Sequence, residues 1–223
     1  MIYAAGFGTR MGDLTKDRPK PLIEVAGRAL LDHALQLLPP GTHAVVNTHY
    51  HADQIARHLI GQRVFLSHEA HILETGGGLR AAMPLLGGSP VMTLNSDAIW
   101  TGPNPLAELA AAWDGDRMDA LLLLAPTGAT TGYHGTGDFL LDKTARLIRA
   151  NGQLSLVYLG AQILCTDLLP NVPQRAFSLN LIWDQIISQG RAYGLLHDGG
   201  WCDVGHPAGI AEAEHLLGWP SRG

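Results

Sequence analysis

A glycine-rich segment near the start of the chain is the first feature that could do chemistry. It reads AAGFGTRMG over residues 4–12 and directly follows a short apolar stretch that predicts a strand. The close glycines Gly6 and Gly8 let the backbone approach a ligand and expose N–H donors, as in loops that hold phosphate oxygens. The third glycine comes one residue too late for the dinucleotide motif GxGxxG, and no Walker lysine follows. A plain glycine turn at the end of a strand is the alternative.

Two cations lie close to this loop in the sequence. Arg10 directly follows its glycines, and Lys20 is flanked by Pro19 and Pro21. The prolines restrict the backbone and lower the entropy cost of holding Lys20 in one place. Two fixed cations beside a glycine loop suit a polyphosphate whose charge grows in a transition state. The alternative for each cation taken alone is a solvated surface charge.

The elements that must position these residues alternate between short apolar strands and helices. In the first half, strands are predicted at residues 1–4, 44–46, 64–66, 91–94 and 120–124. Helices are predicted there at residues 30–38, 52–60, 79–86 and 105–113. Apolar strands separated by helices imply an α/β fold with a mostly parallel sheet that is covered on both faces.

The second half of the chain changes character after Pro126. Strands are predicted at residues 139–141, 146–149, 154–164 and 201–204, and helices at 180–188 and 207–217. No linker rich in serine or glycine and no internal repeat interrupts the chain. We therefore predict one continuous α/β domain with a more irregular C-terminal portion.

Composition excludes several classes of protein. The 223 residues are 46% hydrophobic and 16% charged, which is typical of a globular chain with a sizeable core. A net charge of −5 argues against a protein that binds nucleic acid or a membrane surface. No apolar run approaches the roughly 20 residues of a transmembrane helix, and no secretory signal is recognisable. We expect a cytoplasmic protein with reduced cysteines, a single bridge between Cys165 and Cys202 being the alternative.

Several motifs in this chain occur in the same order as in one enzyme family. Those motifs are AAGFGTRM at residues 4–11, PKPL at 19–22, LETGGG at 73–78, LNSD at 94–97 and WCDVG at 201–205. In this order the chain resembles the sugar-1-phosphate nucleotidylyltransferases, and the resemblance covers essentially its whole length. It implies a Rossmann-like three-layer sandwich in a single domain, with a nucleotide-binding core over about 1–125 and a small, irregular sugar-binding lobe over about 126–223.

The resemblance implies a Mg²⁺ site on Asp97 and Asp203. Asp97 follows the predicted strand 91–94, at the carboxyl edge where open α/β sheets place ligands. Two carboxylates together with phosphate oxygens suit Mg²⁺, which prefers oxygen ligands and keeps several waters. The alternative for Asp97 alone is the N-cap of a following helix. The family often has a glycine where this chain has Ser96, and a serine fits there if its backbone φ is negative.

The resemblance also implies catalytic roles for Arg10, Lys20 and Asp97. The nucleotide-binding residues that it implies are Ala4, Ala5, Gly6, Gly8, Thr9, Arg10, Lys20, Glu74, Thr75, Gly76 and Gly77. Residues 74–78 open a helix, so their N–H groups and the helix dipole would face a bound partner. The alternative is that the three glycines serve only a tight turn before Leu79.

The sugar-binding residues are less sharply defined by the resemblance. Those that it implies are Gly137, Asp138, Tyr158, Gly160 and Asn180. Asp138 could accept hydrogen bonds from sugar hydroxyls, and Asn180 lies at the start of a predicted helix. Each of these residues is also consistent with a purely structural role.

The function that the resemblance implies is nucleotidylyl transfer. A nucleoside triphosphate and a sugar 1-phosphate would give an NDP-sugar and pyrophosphate, with Mg²⁺ as cofactor. Among short members, the chain is most similar to N-acetylmuramate 1-phosphate uridylyltransferases, and mannose-1-phosphate guanylyltransferases are the second possibility. A non-catalytic homologue that senses an NDP-sugar is an alternative of another class, although the chain keeps the signature cations and carboxylates.

Overall fold

The computed structural model describes residues 1–220. A strand of only two residues, Ile2–Tyr3, lies in the middle of its central sheet. The strands are β1 (Ile2–Tyr3), β2 (Glu24–Val25), β3 (Arg28–Ala29), β4 (Ala44–Thr48), β5 (Val64–His68), β6 (Val91–Asn95), β7 (Ala98–Trp100), β8 (Ala120–Pro126), β9 (Thr130–Thr131), β10 (Phe139–Leu141), β11 (Leu147–Arg149), β12 (Leu156–Leu164), β13 (Ala192–Leu196) and β14 (Trp201–Asp203). The helices are α1 (Leu30–Gln36), α2 (Ala52–His58), α3 (Glu74–Leu86), α4 (Pro105–Ala112), α5 (Asn180–Ser188) and α6 (Ala208–Leu216).

Within residues 1–220 the central sheet has nine strands. Its order is β11-β10-β12-β6-β1-β4-β5, with β8 also paired to β12 and β13 paired to β8. Strands β6, β1, β4 and β5 are parallel neighbours, and β13 is parallel to β8. Among the residues described, seven of the nine strands run in one direction, and β11 and β12 oppose them. The prediction of a mostly parallel sheet is confirmed.

Helices cover both faces of this sheet because its inner strands are apolar on both sides. In β8, Leu121 and Leu123 pack on the face that carries residues of α1, α2 and α4. The intervening Leu122 and Leu124 pack on the opposite face, against residues of α3 and α5. All four leucines are almost fully buried, and each contributes about 1.5–3 kcal/mol through burial of its side chain. The result is the predicted three-layer sandwich.

A small third core forms beside the carboxyl edge of the main sheet. Strands β7, β14 and β9 make a three-stranded sheet, in which β14 is antiparallel to β7 and parallel to β9. Cys202 and Val204 pack there with Ile99 and with Ala213 of α6. This small sheet matters for the site because β14 carries Asp203 to the end of β6.

The second half of the chain contributes to the main sheet as well as to the small one. Strand β12 pairs with β6 and β8, and β13 extends the sheet beyond β8. Both halves of the chain thus build the main sheet. The division into a nucleotide-binding core before about residue 125 and a sugar-binding lobe after it stays a prediction.

Some elements were missed by the sequence analysis, and one begins earlier than predicted. Strands β2, β3, β7, β9 and β13 were not predicted, and α3 begins at Glu74 rather than after the glycines. Strands β2, β3, β7 and β9 were missed because two or three residues are too few to show a period. None of the helices within residues 1–220 has both the length and the apolar character that crossing a membrane requires.

Candidate active site

Two adjoining pockets lie at the carboxyl ends of β1, β4 and β6. The first, here called the glutamate pocket, has a volume of about 250 Å³ and is lined by Tyr3, Ala5, Gly6, Asn47, Glu69, Ile72, Glu74, Thr75, Asn95 and Asp97. The second, here called the cation pocket, has a volume of about 200 Å³ and is lined by Tyr3, Ala4, Gly6, Gly8, Thr9, Arg10, Lys20, Pro21, Ser96, Asp97 and Gly205. Tyr3, Gly6 and Asp97 line both pockets, so a single elongated ligand can occupy the two.

The loop at residues 4–8 forms the wall between the pockets. Gly8 has a φ of 66°, and a Cβ atom at this position would lie 2.8 Å from the Cβ of Lys20. A glycine is therefore required both by the left-handed backbone and by the close approach of Lys20. Within residues 1–220, the N–H groups of Gly6 and Gly8 donate to no backbone or side-chain acceptor. These free donors beside a cavity are consistent with an anion-binding loop.

Lys20 extends into the cation pocket from a short 3₁₀ helix, Lys20–Leu22. Pro19 precedes it with extended backbone, and Pro21 occupies the first turn, where its missing N–H costs nothing. The side chain of Lys20 is only 10% exposed, and its Nζ donates to Oδ2 of Asp97 at 2.8 Å. The prolines and this ion pair hold the ammonium group in one place beside the glycine loop.

Asp97 and Asp203 are brought together by the pairing of β7 with β14. Asp203 pairs with Ala98, and the N–H of Val204 donates to the carbonyl oxygen of Asp97 at 2.9 Å. A strand, not a helix, follows Asp97, so the alternative of a helix N-cap is wrong. Burial and then the neighbouring Asp97 carboxylate raise the pKa of Asp203 above its usual value. Two carboxylates held this close favour a bound cation.

Arg10 lies at the open rim of the cation pocket. Its Nη1 is 4.0 Å from Oδ2 of Asp203, and its side chain is 69% exposed. A Cβ atom at Gly205 would lie 2.9 Å from the same Nη1, so a glycine leaves room for the guanidinium group. Ser96 has a negative φ, so the serine in place of the usual glycine carries no backbone strain.

Glu74 and Thr75 line the glutamate pocket, whereas Gly76 and Gly77 do not. The N–H groups of Gly76 and Gly77 donate to the carbonyl oxygen of Phe177, at 2.8 and 3.1 Å. The expectation that these two amides face a ligand is therefore wrong, because a segment of the chain itself caps the helix. We call this segment, residues 172–179, the strap.

The strap also explains why glycines occupy these positions. A Cβ atom at Gly76 would overlap the ring of Phe177, and one at Gly77 would lie 2.5 Å from the carbonyl oxygen of Arg175. Arg80 holds the strap in place through hydrogen bonds to the carbonyl oxygens of Val172 and Gln174. Close packing, rather than a tight turn, accounts for these two glycines.

Within the described part of the chain, the residues that the resemblance implies for sugar binding do not line either pocket. Two of these residues contact each other, because Oδ2 of Asp138 accepts a hydrogen bond from the N–H of Tyr158 at 2.9 Å. Gly160, with a φ of 86°, packs against the side chain of Asn95, which lines the glutamate pocket. Asn180 begins α5. A direct role in sugar binding stays a prediction for these residues and for Gly137.

Several pocket residues were missed by the sequence analysis. They are Tyr3, Pro21, Asn47, Glu69, Ile72, Asn95, Ser96 and Gly205. Asn47 and Asn95 lie near or at the carboxyl ends of apolar strands, and Glu69 follows the end of β5. Polar residues at such strand ends meet at one edge of a parallel sheet, which is the signal that could have found them.

The arrangement suits a ligand with a polyphosphate at one end and a planar or polar group at the other. Free loop amides and the cations Arg10 and Lys20 line the cation pocket together with Asp97. Asp203 lies next to this lining, 4.0 Å from Arg10, so that the two carboxylates can hold a divalent cation. The glutamate pocket offers carboxylate and amide oxygens to the hydrogen-bond donors of a ligand.

Comparisons with known proteins identify a family and relatives for this chain. A family model described as a MobA-like NTP transferase domain matches residues 1–210. N-acetylmuramate alpha-1-phosphate uridylyltransferase of Caulobacter vibrioides is 42% identical to this chain, covering 97% of the chain and 96% of that protein. The protein of the same name from Neisseria meningitidis serogroup B is 32% identical, covering 98% of the chain and 97% of its own length.

Solved structures give the same fold. The crystal structure of HddC from Yersinia pseudotuberculosis superimposes with a TM-score of 0.75 at 20% identity, and the match covers 97% of both chains. At this identity the likeness shows the fold alone. Because the family model spans nearly the whole chain and a relative with 42% identity covers 97% of it, the chain belongs to the MobA-like NTP transferase family of nucleotidyltransferases.

Proposed function

We propose that this protein is a Mg²⁺-dependent uridylyltransferase that acts on UTP and N-acetylmuramate 1-phosphate. The products would be the UDP-sugar and pyrophosphate. The two relatives named for this activity support the choice of substrates, because each matches nearly the whole chain. The observation that carries the reaction class is the meeting of the two pockets at Asp97, beside Lys20 and Asp203.

In this proposal the nucleotide spans both pockets. The nucleoside occupies the glutamate pocket, beside Ala5, Glu74 and Thr75, and the triphosphate lies in the cation pocket. The free N–H groups of Gly6 and Gly8 donate to phosphate oxygens. The α-phosphate then lies at the junction of the pockets.

The reaction is an in-line displacement that needs no covalent enzyme intermediate. A phosphate oxygen of the sugar 1-phosphate forms a bond to the α-phosphorus, and the bond from that phosphorus to the bridging oxygen of pyrophosphate breaks. Lys20 compensates the charge that accumulates at the α-phosphorus, and Arg10 compensates the charge on the departing pyrophosphate. The attacking phosphate is already ionised at neutral pH, so the protein contributes position and charge.

Asp97 and Asp203 would hold Mg²⁺ in this proposal. Their closeness fits the ion, because the repulsion and burial that raise the pKa of Asp203 would be relieved by a cation between them. Two carboxylates, with phosphate oxygens and waters, are a usual ligand set for Mg²⁺. When bound, the ion supplies Lewis-acid stabilisation to the phosphate oxygens.

The sugar would lie beside the nucleotide, next to Asn95 and Gly160. Asp138 uses one carboxylate oxygen to accept a hydrogen bond from the N–H of Tyr158. Its second oxygen accepts no hydrogen bond within residues 1–220, so it would accept one from a sugar hydroxyl. Asn180 and Gly137 complete the proposed sugar-binding residues, from the start of α5 and the loop before β10.

The test is a pyrophosphate-release assay with Mg²⁺. UTP, GTP, dTTP, CTP and ATP are each combined with the 1-phosphates of N-acetylmuramate, N-acetylglucosamine, mannose and glucose. Release with UTP and N-acetylmuramate 1-phosphate is expected to exceed that of every other pair. Preferred release with GTP and mannose 1-phosphate would instead favour the guanylyltransferase. No release from folded protein that binds a nucleotide would favour the non-catalytic sensor.

A further inference from the structure

Two buried polar side chains, Asn47 and Glu69, lie at the back of the glutamate pocket. They are only 3% and 2% exposed, and both come from the carboxyl ends of neighbouring parallel strands. Glu69 follows β5 directly, and its N–H donates to the carbonyl oxygen of Thr48 at 2.8 Å. Within residues 1–220 no Lys, Arg or His side chain forms an ion pair with Glu69, so hydrogen bonds alone satisfy this buried carboxylate.

Three hydrogen bonds join these side chains to the two loops around the pocket. The N–H of Ala4 donates to Oδ1 of Asn47 at 2.7 Å. Nδ2 of Asn47 donates to Oε1 of Glu69 at 2.7 Å. The N–H of Leu73 donates to Oε2 of Glu69 at 2.9 Å. Because an amide N–H can only donate and a carboxylate can only accept, the orientation of the Asn47 amide group is fixed.

The endpoints of this chain of bonds are the residues that shape the pocket. Ala4 precedes Ala5 and Gly6, and Leu73 precedes Glu74 and Thr75, and all four following residues line the glutamate pocket. We propose that Asn47 and Glu69 are positioning residues that set the separation of these two loops. The proposal rests on the function proposed above, in which the loops hold the nucleotide.

The third glycine of the LETGGG motif has a place in this arrangement. A Cβ atom at Gly78 would lie 2.6 Å from Oε1 of Glu69 and 3.1 Å from Nδ2 of Asn47. Unlike Gly76 and Gly77, which contact the strap, Gly78 leaves room for the bond between Asn47 and Glu69. Of the three glycines in the LETGGG motif, Gly78 is therefore the one that packs against Asn47 and Glu69.

An exchange of the two functional groups tests the proposal. Glu69→Gln alone places a donor against a donor, and Asn47→Asp alone places two carboxylates against each other. In the double variant N47D/E69Q every bond regains a donor and an acceptor. The N–H of Ala4 donates to the new carboxylate, the new amide donates to that carboxylate, and the N–H of Leu73 donates to the new amide oxygen.

Two measurements are made on the full chain. The first is the KM for the nucleotide and for the sugar 1-phosphate in pyrophosphate release. Each single variant is expected to raise the nucleotide KM by about tenfold or more, because a hydrogen bond to a buried charge is lost. The KM for the sugar 1-phosphate should change much less, and the double variant should recover most of the nucleotide KM. Ser67→Ala is the matched control, because Ser67 is a buried polar residue on β5, the strand that Glu69 follows. This variant should behave as the wild type.

The second measurement is hydrogen exchange at the amides of Ala4 and Leu73 by NMR, which needs no activity. Both amides should lose protection in the single variants and regain it in the double variant. This readout still tests the pair if the proposed substrates prove wrong, since exchange is measured without them.

Three results would overturn the proposal. Single variants with wild-type KM and wild-type protection would show that the pair positions nothing. A double variant that regains protection but keeps the raised nucleotide KM would show that the charge of Glu69 acts on the ligand itself. If the single variants fail to fold, a double variant that also fails to fold would contradict the exchange of bonds on which the proposal rests.

Discussion

The Nζ atom of Lys20 lies 2.8 Å from Oδ2 of Asp97, and this ion pair stands at the junction of the two pockets. Lys20 is nearly buried, while Asp97 is about one-third exposed. In the proposed reaction an incoming α-phosphate shares the ammonium group with Asp97. Asp97 thus holds the ammonium group of Lys20 in position before the nucleotide binds.

Loss of either partner should reduce turnover while the fold persists. Lys20→Ala and Asp97→Asn are each expected to lower turnover by at least about 100-fold, because aimed charges act mainly in the transition state. Pyrophosphate release gives the rate, and circular dichroism checks the fold. Arg57→Ala removes an exposed ion pair with Asp53 and should leave the rate unchanged. A rate near that of the wild type in either variant would remove that residue from the mechanism.

Glu74 should contribute to nucleotide binding at a cost in stability. Its φ is 57°, a left-handed conformation that costs a non-glycine residue about 1–2 kcal/mol. Glu74→Gly is therefore expected to leave the melting temperature unchanged or higher while the nucleotide KM rises by about tenfold.

The control for Glu74 is Ala145→Gly, at a φ of 63° in the turn between β10 and β11. This change relieves the same strain and should leave the nucleotide KM unaltered. An unaltered KM in the Glu74 variant would show that its carboxylate does not contact the nucleotide.

Removal of divalent metal should abolish the reaction. Treatment with EDTA is expected to stop pyrophosphate release, and added Mg²⁺ should restore it. Asp203→Asn removes one of the two proposed ligand charges, so it should raise the Mg²⁺ concentration needed for half-maximal rate. Asp184→Asn changes a carboxylate on α5 and serves as the control. Full activity after EDTA would contradict the metal assignment.

Replacement by alanine should have different effects at Gly6 and at Gly76, lowering turnover at the first and stability at the second. Gly76→Ala places a methyl group against the ring of Phe177 and should lower the free energy of unfolding by about 1–3 kcal/mol. In Gly6→Ala the new methyl group has no atom of residues 1–220 within 4 Å, so this change should not destabilise the protein in this way. It should instead impair turnover, because Gly6 lines both pockets.

Urea denaturation and pyrophosphate release measure these two effects separately. Gly88→Ala also has no neighbour within 4 Å in the described part of the chain and lies outside both pockets, so it should change neither quantity. Equal loss of stability in the variants of Gly6 and Gly76 would contradict the different roles assigned to the two loops.

Neither cysteine should react readily in the native protein. Burial, with the nearby carboxylate of Glu212, raises the pKa of Cys202 to about 12. Burial, with Asp119, also raises the pKa of Cys165. At pH 8 both groups stay protonated, so iodoacetamide should alkylate them at least about tenfold more slowly than in guanidinium chloride. Mass spectrometry of both samples gives the rates, and rapid native labelling would contradict the burial.

The chemistry of the site was determined by local sequence. The glycine loop, the proline-flanked Lys20 and Asp97 at the end of an apolar strand are each encoded within a few consecutive residues. Local periodicity also predicted the apolar strands and the helices around them, because burial on both faces leaves a continuous apolar pattern. The order of the motifs then indicated the family, and the comparisons confirmed it.

Only the tertiary structure decided which distant groups meet. Asp203 reaches Asp97 through the pairing of β14 with β7, and no local pattern in the sequence indicates that these two strands are partners. The carbonyl oxygen of Phe177, and not a ligand, occupies the amides of Gly76 and Gly77. Asn47 and Glu69 join the two loops because their strands are neighbours in the sheet. Hydrogen bonds between residues far apart in the chain depend on how the sheet assembles, and no local pattern records that assembly.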